Sequence, residues 1–449
     1  MAPVLWRRTP PVQTVKLRVR ERSSMDRKGL TYVFSTVAGI AVVSYLVKRL
    51  VLHRRLLLFD KIERAEQRPK REREPIFDYY NSSARRPIAA LRELLQTWFD
   101  SYPASGKKDI QARFRSRIDG QHKSAFWELY LHELFTRMKY RLRVHPVLKE
   151  SANHPDFLVS EGRSPKFYLE AIVAGLPSTK DVGAEARLAE VIDLINKMQT
   201  PDYLLELLYR GTCDTPPPVG KLRKALISWL RSLDLKAIDA AYKASNFDLT
   251  PRFEWNHEGL TLFFAPIPKS SKTRGTTDAR PLGVVMGEAH ILTTDEDIRE
   301  GIEQKAKKYG KLALPLVIAV NVVSEHCDEI DINNALFGSE AIEFIRRSDG
   351  SIDERVGVRQ PNGIWFGKKG PRNRNISAVL VGCQIDPYKV GVITPQLILN
   401  PYAENPLKTT DYPLPQSVPD HTTSTMKKKA GTEASAFLRL PRPWPPDYD

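Results

Sequence analysis

The sequence predicts an α/β fold, and three stretches carry that prediction. Segment 124–138 repeats apolar residues at three- and four-residue steps, which is typical of a helix. Three short segments rich in strand-forming residues follow it, at 139–144, 156–160 and 166–173. The continuous apolar run 313–322 is typical of a strand that is covered on both faces of a sheet.

The composition limits the class of protein. A chain of 449 residues, 41% hydrophobic and 27% charged, can bury a large core in one elaborated domain or in two. Its formal net charge of +16 favours nucleic acid or an anionic membrane surface as partner, without choosing between them. Cys213, Cys327 and Cys383 are widely spaced. They indicate neither a disulfide framework nor a zinc site, and we expect a reducing compartment.

The N-terminal region predicts a membrane anchor. Residues 1–28 form a basic segment, and Met25 is an alternative start that would leave most of it untranslated. Residues 29–47 are an uncharged run of 19 residues, which suits a single transmembrane helix better than a buried core helix. Counted from Met25, the more basic flank follows the run and places the body in the cytoplasm. A cytoplasmic protein without an anchor is the alternative.

The remaining chain divides by composition and pattern. We expect a charged linker at 48–75, a helical arm at 76–120 and the core at 121–210. An αβ extension at 211–400 then continues or flanks the core sheet. Its elements include a hairpin at 252–269 and a helix at 293–309, with acids in the first turn and lysines in the last. The Pro-rich segment 401–449 is predicted to be disordered.

Two acidic residues of the core occupy informative positions. Glu170 interrupts the apolar strand 166–173, and a carboxylate is costly to bury without a partner. Asp156 follows Pro155 where the preceding strand begins. If these two strands pair as a hairpin, the two carboxylates become neighbours and repel each other unless a cation lies between them. Hard oxygen ligands of this kind suit Mg²⁺ or Mn²⁺.

This order of elements resembles the PD-(D/E)XK restriction-endonuclease-like nucleases. Their core runs helix, three strands, helix, strand (αβββαβ), and segments 183–198 and 202–209 match the last two elements. On that resemblance Glu128 matches the acid of the first helix, Asp156 the PD acid and Glu170 the (D/E) acid. Asp156 and Glu170 would then hold Mg²⁺ or Mn²⁺. The resemblance covers about residues 120–210, and the rest is similar only to bacterial proteins of uncharacterised activity.

The chain departs from the family pattern at one position. The family lysine, two residues after the last acid, is replaced by Ile172. In the family this lysine helps to place the attacking water and stabilises charge in the transition state. Some members supply it from the following helix, and Asn196 and Lys197 are the candidates for that role here. Loss of catalysis is the alternative.

A basic loop completes the set of candidate residues. The segment 366–375 carries Lys368, Lys369, Arg372 and Arg374 among glycine and proline. Such a loop could bind the phosphates of a nucleic-acid backbone, or it could be a simple surface turn.

The sequence therefore predicts a metal-dependent nuclease that acts on DNA, with RNA as the alternative substrate, on a restriction-endonuclease-like α/β body behind a transmembrane helix. Two alternatives stay open. The first is a nuclease fold that binds nucleic acid or protein without cutting. The second is a membrane-associated scaffold that binds anionic lipid.

Overall fold

The computed structural model describes residues 56–148, 151–177, 179–277, 280–287, 294–324, 326–346, 352–409 and 412–446. The predicted basic segment 1–28 and membrane helix 29–47 lie outside these ranges. Across the ranges that are described, no helix is both long enough and apolar enough to cross a membrane.

The elements alternate between helices and strands along the chain. In order, they are α1 (Ile76–Ser82), α2 (Arg86–Ser101), α3 (Lys107–Phe114), α4 (Asp119–Arg137), β1 (Tyr140–Val144), β2 (Phe157–Glu161), β3 (Ser164–Ala174), α5 (Thr179–Ile195), β4 (Tyr203–Arg210), α6 (Val219–Ser232), α7 (Leu235–Lys243), a 3₁₀ turn (Phe247–Leu249), β5 (Phe253–His257), β6 (Leu260–Pro268), β7 (Leu282–Met286), α8 (Thr294–Ala306), β8 (Leu316–Val322), α9 (Glu329–Phe337), β9 (Glu340–Arg346), β10 (Ile352–Arg359), β11 (Phe366–Gly367), β12 (Gly370–Pro371), β13 (Ala378–Cys383), β14 (Gln396–Leu399), β15 (Gln416–Asp420), β16 (Thr425–Lys429) and α10 (Ala434–Leu438).

The main sheet confirms the α/β class. Within the described residues it has eight strands in the order β1-β2-β3-β8-β13-β14-β15-β16. The central strands β3, β8 and β13 run parallel, whereas β1, β2 and β3 form an antiparallel meander on one side. β8 is buried along its whole length, as its continuous apolar sequence predicts.

Helices cover both faces of the centre of this sheet. On one face α8 and α9 pack on β3 and β8 in a single buried cluster, which includes Ile172, Ile298, Ile302, Ile318, Val320, Ala335 and Leu336. On the other face α4 packs on β1 and β3, and its Trp127 reaches β8 and β13. Its Trp127 indole donates a hydrogen bond of 3.0 Å to the carbonyl oxygen of Ala319 and lies beside Gly382. The predicted arm forms α1, α2 and α3, which pack on α4.

A second sheet corrects the predicted core. Segment 202–209 is a strand (β4), but it lies in a separate four-stranded sheet of order β5-β6-β4-β7. α5 packs in the apolar cluster of that sheet through Val191 and Ile195. Burial alternates along β4, so this strand has one covered face, and the strand beside β3 is β8 instead. The helix and strand expected at 183–209 therefore belong to an insertion, and α8 with β8 continues the main sheet.

Two further expectations are wrong. The Pro-rich segment 401–449 is not a disordered tail in its described part, because β15 pairs with β14 and β16 pairs with β15. Cys327 and Cys383 form a disulfide, with their Cα atoms 5.8 Å apart. They are separated by 56 residues in the chain. The disulfide joins the loop before α9 to the end of β13. These two positions are neighbours because β8 and β13 pair in parallel and end side by side. Cys213 is free and buried.

Candidate functional site

Asp156 and Glu170 meet at the start of the β2–β3 hairpin. Phe157 of β2 pairs with Leu169 of β3, so the preceding Asp156 lies beside Glu170. The Asp156 backbone N–H donates to Glu170 Oε2 at 3.2 Å, and the Ala171 N–H donates to Asp156 Oδ2 at 2.7 Å. These reciprocal bonds fix both carboxylates at the end of the sheet where β2 begins.

Glu170 is almost fully buried and has cationic partners. Its side chain is 2% exposed and accepts a hydrogen bond of 2.6 Å from Lys305 Nζ at the end of α8. The Tyr309 hydroxyl donates to its other oxygen at 2.8 Å. Lys308 Nζ lies 3.8 Å away. The cost of burying the Glu170 carboxylate is therefore offset by one close ammonium and one hydroxyl donor.

The electrostatics of the pair follow from burial and from like charges. Burial raises the pKa of Asp156 well above its usual range, and the carboxylates of Glu128 and Glu170 raise it further. Burial opposes the charge on Lys305, but Glu170 and Asp156 outweigh it and raise the pKa of Lys305. Lys305 is therefore a cation at neutral pH.

Ile172 and Gly301 explain how Lys305 reaches Glu170. Ile172 lies two residues after Glu170 in β3, is buried and packs towards α8. A Cβ atom at Gly301 would lie only 3.1 Å from Ile172 Cδ1, so glycine allows α8 to approach β3 closely. Lys305 lies one helical turn after Gly301, on the same face of α8. The close approach thus brings its ammonium to the carboxylate.

Glu128 lies near this pair but is already engaged. It projects from α4, and its two oxygens accept hydrogen bonds of 2.7 and 2.8 Å from the guanidinium of Arg113. The nearby Tyr102 hydroxyl is buried and has no hydrogen-bond partner among the described residues. Burial raises the pKa of Tyr102, and the charges of Glu128 and Asp156 add to that effect.

The structure does not bring Asn196 and Lys197 to the carboxylate pair. Both follow α5, which packs with the second sheet. Asn196 Oδ1 accepts a hydrogen bond of 3.3 Å from the backbone of Leu282 in β7. Lys197 lines a surface cavity with Glu190 and Asp193. Sequence order points to them because α5 is the next helix after β3, whereas the next helix of the main sheet is α8. The lysine-rich end of a helix directly before a wholly apolar strand is the sequence signal that points to Lys305.

The basic loop forms a small hairpin that is anchored on α8. β11 and β12 pair, with Lys368 and Lys369 exposed at their turn. Arg372 forms an ion pair with Glu303 of α8. Arg374 Nη1 lies 3.8 Å from Glu404. Asn375 donates to the carbonyl oxygens of Ala306 and Tyr309 at 3.1 and 3.0 Å, so the loop is fixed to the end of α8 beside the lysine.

The donor set suits a hard divalent cation in part. Among the described residues, no three His, Cys, Asp or Glu side chains are grouped as a metal site. Asp156 and Glu170 nevertheless offer two adjacent carboxylates. Burial is the main cause of the raised pKa of Asp156, and the charges of Glu128 and Glu170 add a repulsion that a cation would relieve. Comparison of the chain with protein-family models, with curated proteins and with solved structures finds no match. The chemistry of the site has to be inferred from its own geometry.

Proposed function

We propose that the body is a divalent-metal-dependent nuclease of the PD-(D/E)XK type, in which α8 supplies the lysine. The observation that carries this proposal is the distance of 2.6 Å between Lys305 Nζ and Glu170 Oε1. The sequence pattern lacks a lysine at Ile172, and the fold brings one to the same carboxylate from a position 135 residues away.

The order of elements supports the same proposal. α4, β1, β2 and β3 supply the first helix and the three antiparallel strands of the αβββαβ core. After the insertion that contains the second sheet, α8 and β8 supply the remaining helix and strand, with β8 parallel to β3. The insertion therefore lengthens the chain between β3 and α8 without changing the order of the core.

Each residue has a distinct role in this proposal. Asp156 and Glu170 would hold the metal ion, which would supply Lewis acidity to the reaction. Lys305 stays protonated because the two carboxylates raise its pKa, so it stabilises negative charge on the phosphate rather than acting as a base. Arg113 holds Glu128 at the edge of the site. Lys368 and Lys369 contact the nucleic-acid backbone.

A second candidate function is binding without cutting. Both oxygens of Glu170 already have partners, its side chain is 2% exposed, and Glu128 is held by Arg113. A cluster of this kind also stabilises a core that has lost its chemistry. This candidate predicts salt-sensitive binding of nucleic acid with no metal-dependent cleavage.

The deciding experiment compares the full-length protein with Asp156→Asn on labelled single- and double-stranded DNA and RNA. Reactions contain Mg²⁺, Mn²⁺ or EDTA. We expect cleavage with either metal and none by the variant. Glu161→Gln is the matched control, because Glu161 ends β2 in an exposed ion pair of 2.7 Å with Lys166. Cleavage by Asp156→Asn at the wild-type rate refutes the assignment, and binding without cleavage by the wild type favours the second candidate.

We also propose that residues 29–47 anchor this body in a membrane. The basic flank after the run favours a body on the cytoplasmic side, whereas the Cys327–Cys383 disulfide is typical of an oxidising compartment. The support for the anchor is the length and apolar character of that run together with the basic flank that follows it. Full-length protein should stay in the membrane pellet after alkaline carbonate extraction, and a variant that lacks 29–47 should be released. Release of both proteins would refute the anchor.

A further inference from the structure

A groove with aromatic walls lies beside the basic hairpin. It encloses about 710 Å³ between the β11–β12 and β15–β16 hairpins. Its lining includes Phe337, Arg359, Phe366, Tyr402, His421 and Met426. The Phe366 and Tyr402 ring centroids are 6.1 Å apart with an angle of 36° between the planes. Phe366 is 38% exposed, which leaves part of its ring open to a ligand.

Positive charge borders this groove on the side of the β11–β12 hairpin. Four cations near it form ion pairs with acids: Arg359 with Glu340, Arg374 with Glu404, Lys427 with Asp420 and Lys428 with Glu329. Lys368 and Lys369 are exposed at the turn of that hairpin, and no ion pair of the described residues includes them. The acid in each of the four pairs is offset by its cation, and the two lysines of the turn remain to meet an anionic ligand.

Direct contacts connect the groove to the carboxylate pair. Arg374 Nε donates to the carbonyl oxygen of Tyr402 at 3.2 Å. The next residue, Asn375, donates to the carbonyl oxygen of Tyr309, and the Tyr309 hydroxyl donates to Glu170. The segment that follows the β11–β12 hairpin therefore links a wall of the groove to the residues around Glu170.

We propose that this groove binds an unpaired base of single-stranded nucleic acid, and that the substrate is single-stranded or has a single-stranded branch. Bases in a duplex are stacked within the helix and cannot reach a side chain such as Phe366. An unpaired base can stack on an exposed ring while its phosphates meet lysines, which is how proteins hold single strands. Anionic lipid would use the lysines, but a ring that lines a groove suits an inserted flat base better than a bilayer surface. The cleavage part of this inference rests on the proposed function, whereas the binding part does not.

The test measures binding by the full-length protein in EDTA, with fluorescence anisotropy. The probes are a labelled single-stranded dA oligonucleotide, the RNA of the same sequence and a duplex of equal length. Phe366→Ala should weaken single-strand binding roughly 5- to 150-fold, the range expected for loss of one stacked base, and should leave duplex binding unchanged. Phe366→Tyr keeps the ring and should bind as the wild type does.

Two controls make the result specific. Phe247→Ala removes another exposed ring, 55% exposed and in contact with Tyr242, and should leave binding unchanged. Lys368→Met should reduce the salt dependence of binding, because a lysine that neutralises a phosphate releases the counterion of that phosphate. Phe366→Ala should leave the salt dependence unchanged. Thermal unfolding of every variant establishes that the fold is intact.

The outcomes separate this inference from the proposed function. If Phe366→Ala and the wild type bind single strands equally well, the proposed role of the groove is overturned, even if the protein cuts nucleic acid. The proposal is also overturned if Phe366→Ala loses duplex binding, or binding to phosphatidylserine vesicles, to the same extent as single-strand binding. Binding that depends on Phe366 without any metal-dependent cleavage supports the groove and refutes the nuclease. Lys305→Met should slow cutting roughly 10²- to 10³-fold and keep the groove's affinity.

Discussion

Replacement of Lys305 by methionine gives the sharpest mutational test of the site. Methionine keeps most of the apolar stem of the side chain and removes the ammonium that lies 2.6 Å from Glu170. If that ammonium stabilises charge in the transition state, its loss should lower the rate of the chemical step by roughly 10²- to 10³-fold, the range for one preorganised electrostatic donor. Single-turnover cleavage of a labelled oligonucleotide in Mg²⁺ measures that rate.

The same variant should lose less stability than the breaking of a buried ion pair usually costs. Breaking a buried ion pair costs about 3–5 kcal/mol when the remaining charge has no partner. Here Glu170 keeps its hydrogen bond from Tyr309, and Lys308 Nζ is already 3.8 Å away. We therefore expect a loss of about 1–3 kcal/mol in the free energy of unfolding, the cost of one unmade hydrogen bond to a buried group. Urea unfolding measures that difference.

Lys307→Met is the matched control for this experiment. Lys307 lies just beyond α8, is 77% exposed and only approaches Glu303, at 3.9 Å. This variant should keep both the rate and the stability of the wild type, since exposed ion pairs contribute little. Equal rates for Lys305→Met and wild type would refute the assignment of Lys305. A fall in rate that merely follows the unfolded fraction would do so as well.

Three further predictions concern the surroundings of the site. Gly301→Ala should slow cleavage roughly tenfold by pushing α8 from β3, and adding Ile172→Val, which removes the crowded Cδ1 atom, should restore the rate. Burial raises the pKa of Asp156, so the folded protein retains a proton on this carboxyl that the unfolded chain loses above about pH 4. The free energy of unfolding therefore falls as pH rises through the folded-state pKa of Asp156. Asp156→Asn should therefore unfold at a higher temperature than wild type at pH 8 in EDTA, with a smaller difference at pH 4, and equal melting curves at pH 8 would contradict this. Reduction of the Cys327–Cys383 disulfide, which spans 56 residues, should cost about 2–4 kcal/mol of stability in wild type and nothing in Cys383→Ser, as urea unfolding with and without reductant would reveal.

Local patterns in the sequence predicted the elements around the carboxylates well. The helix at 124–138 and the three strands after it appear as α4, β1, β2 and β3, with ends shifted by a few residues. The helix at 293–309, the strand at 313–322 and the hairpin at 252–269 appear as well. These elements succeed because periodicity, capping residues and turn residues act over short distances along the chain.

The partners of Glu170 could not be predicted in the same way. Lys305 is 135 residues from Glu170 in sequence, and an entire second sheet intervenes. Sequence order predicts α5 and β4 as the next elements of the main sheet after β3. β4 has only one covered face, whereas β8 is buried on both faces and is the strand that continues the sheet. The disulfide was missed for a similar reason, because Cys327 and Cys383 approach each other only through the pairing of β8 with β13.

Two residues of the site had no sequence signal for their role. Arg113 lies at the end of a short helix and is followed by Arg115 and Arg117, and nothing in that pattern distinguishes it as the partner of both oxygens of Glu128. Gly301 sits inside a helix, where glycine lowers stability, and its use becomes evident only from the close contact with Ile172. Both depend on how helices pack against a sheet that the local sequence does not describe.

The most direct measurement is the cleavage of a labelled single-stranded oligonucleotide by the full-length protein through one cycle of metal removal and return. We expect cleavage in Mg²⁺ that stops with EDTA and resumes when Mg²⁺ is restored in excess. Glu170→Gln, purified in parallel, should be inactive throughout. Cleavage that persists in EDTA, cleavage by Glu170→Gln at the wild-type rate, or no cleavage by the wild type under any of these conditions would contradict the assignment of Asp156, Glu170 and Lys305 as a metal-dependent nuclease site.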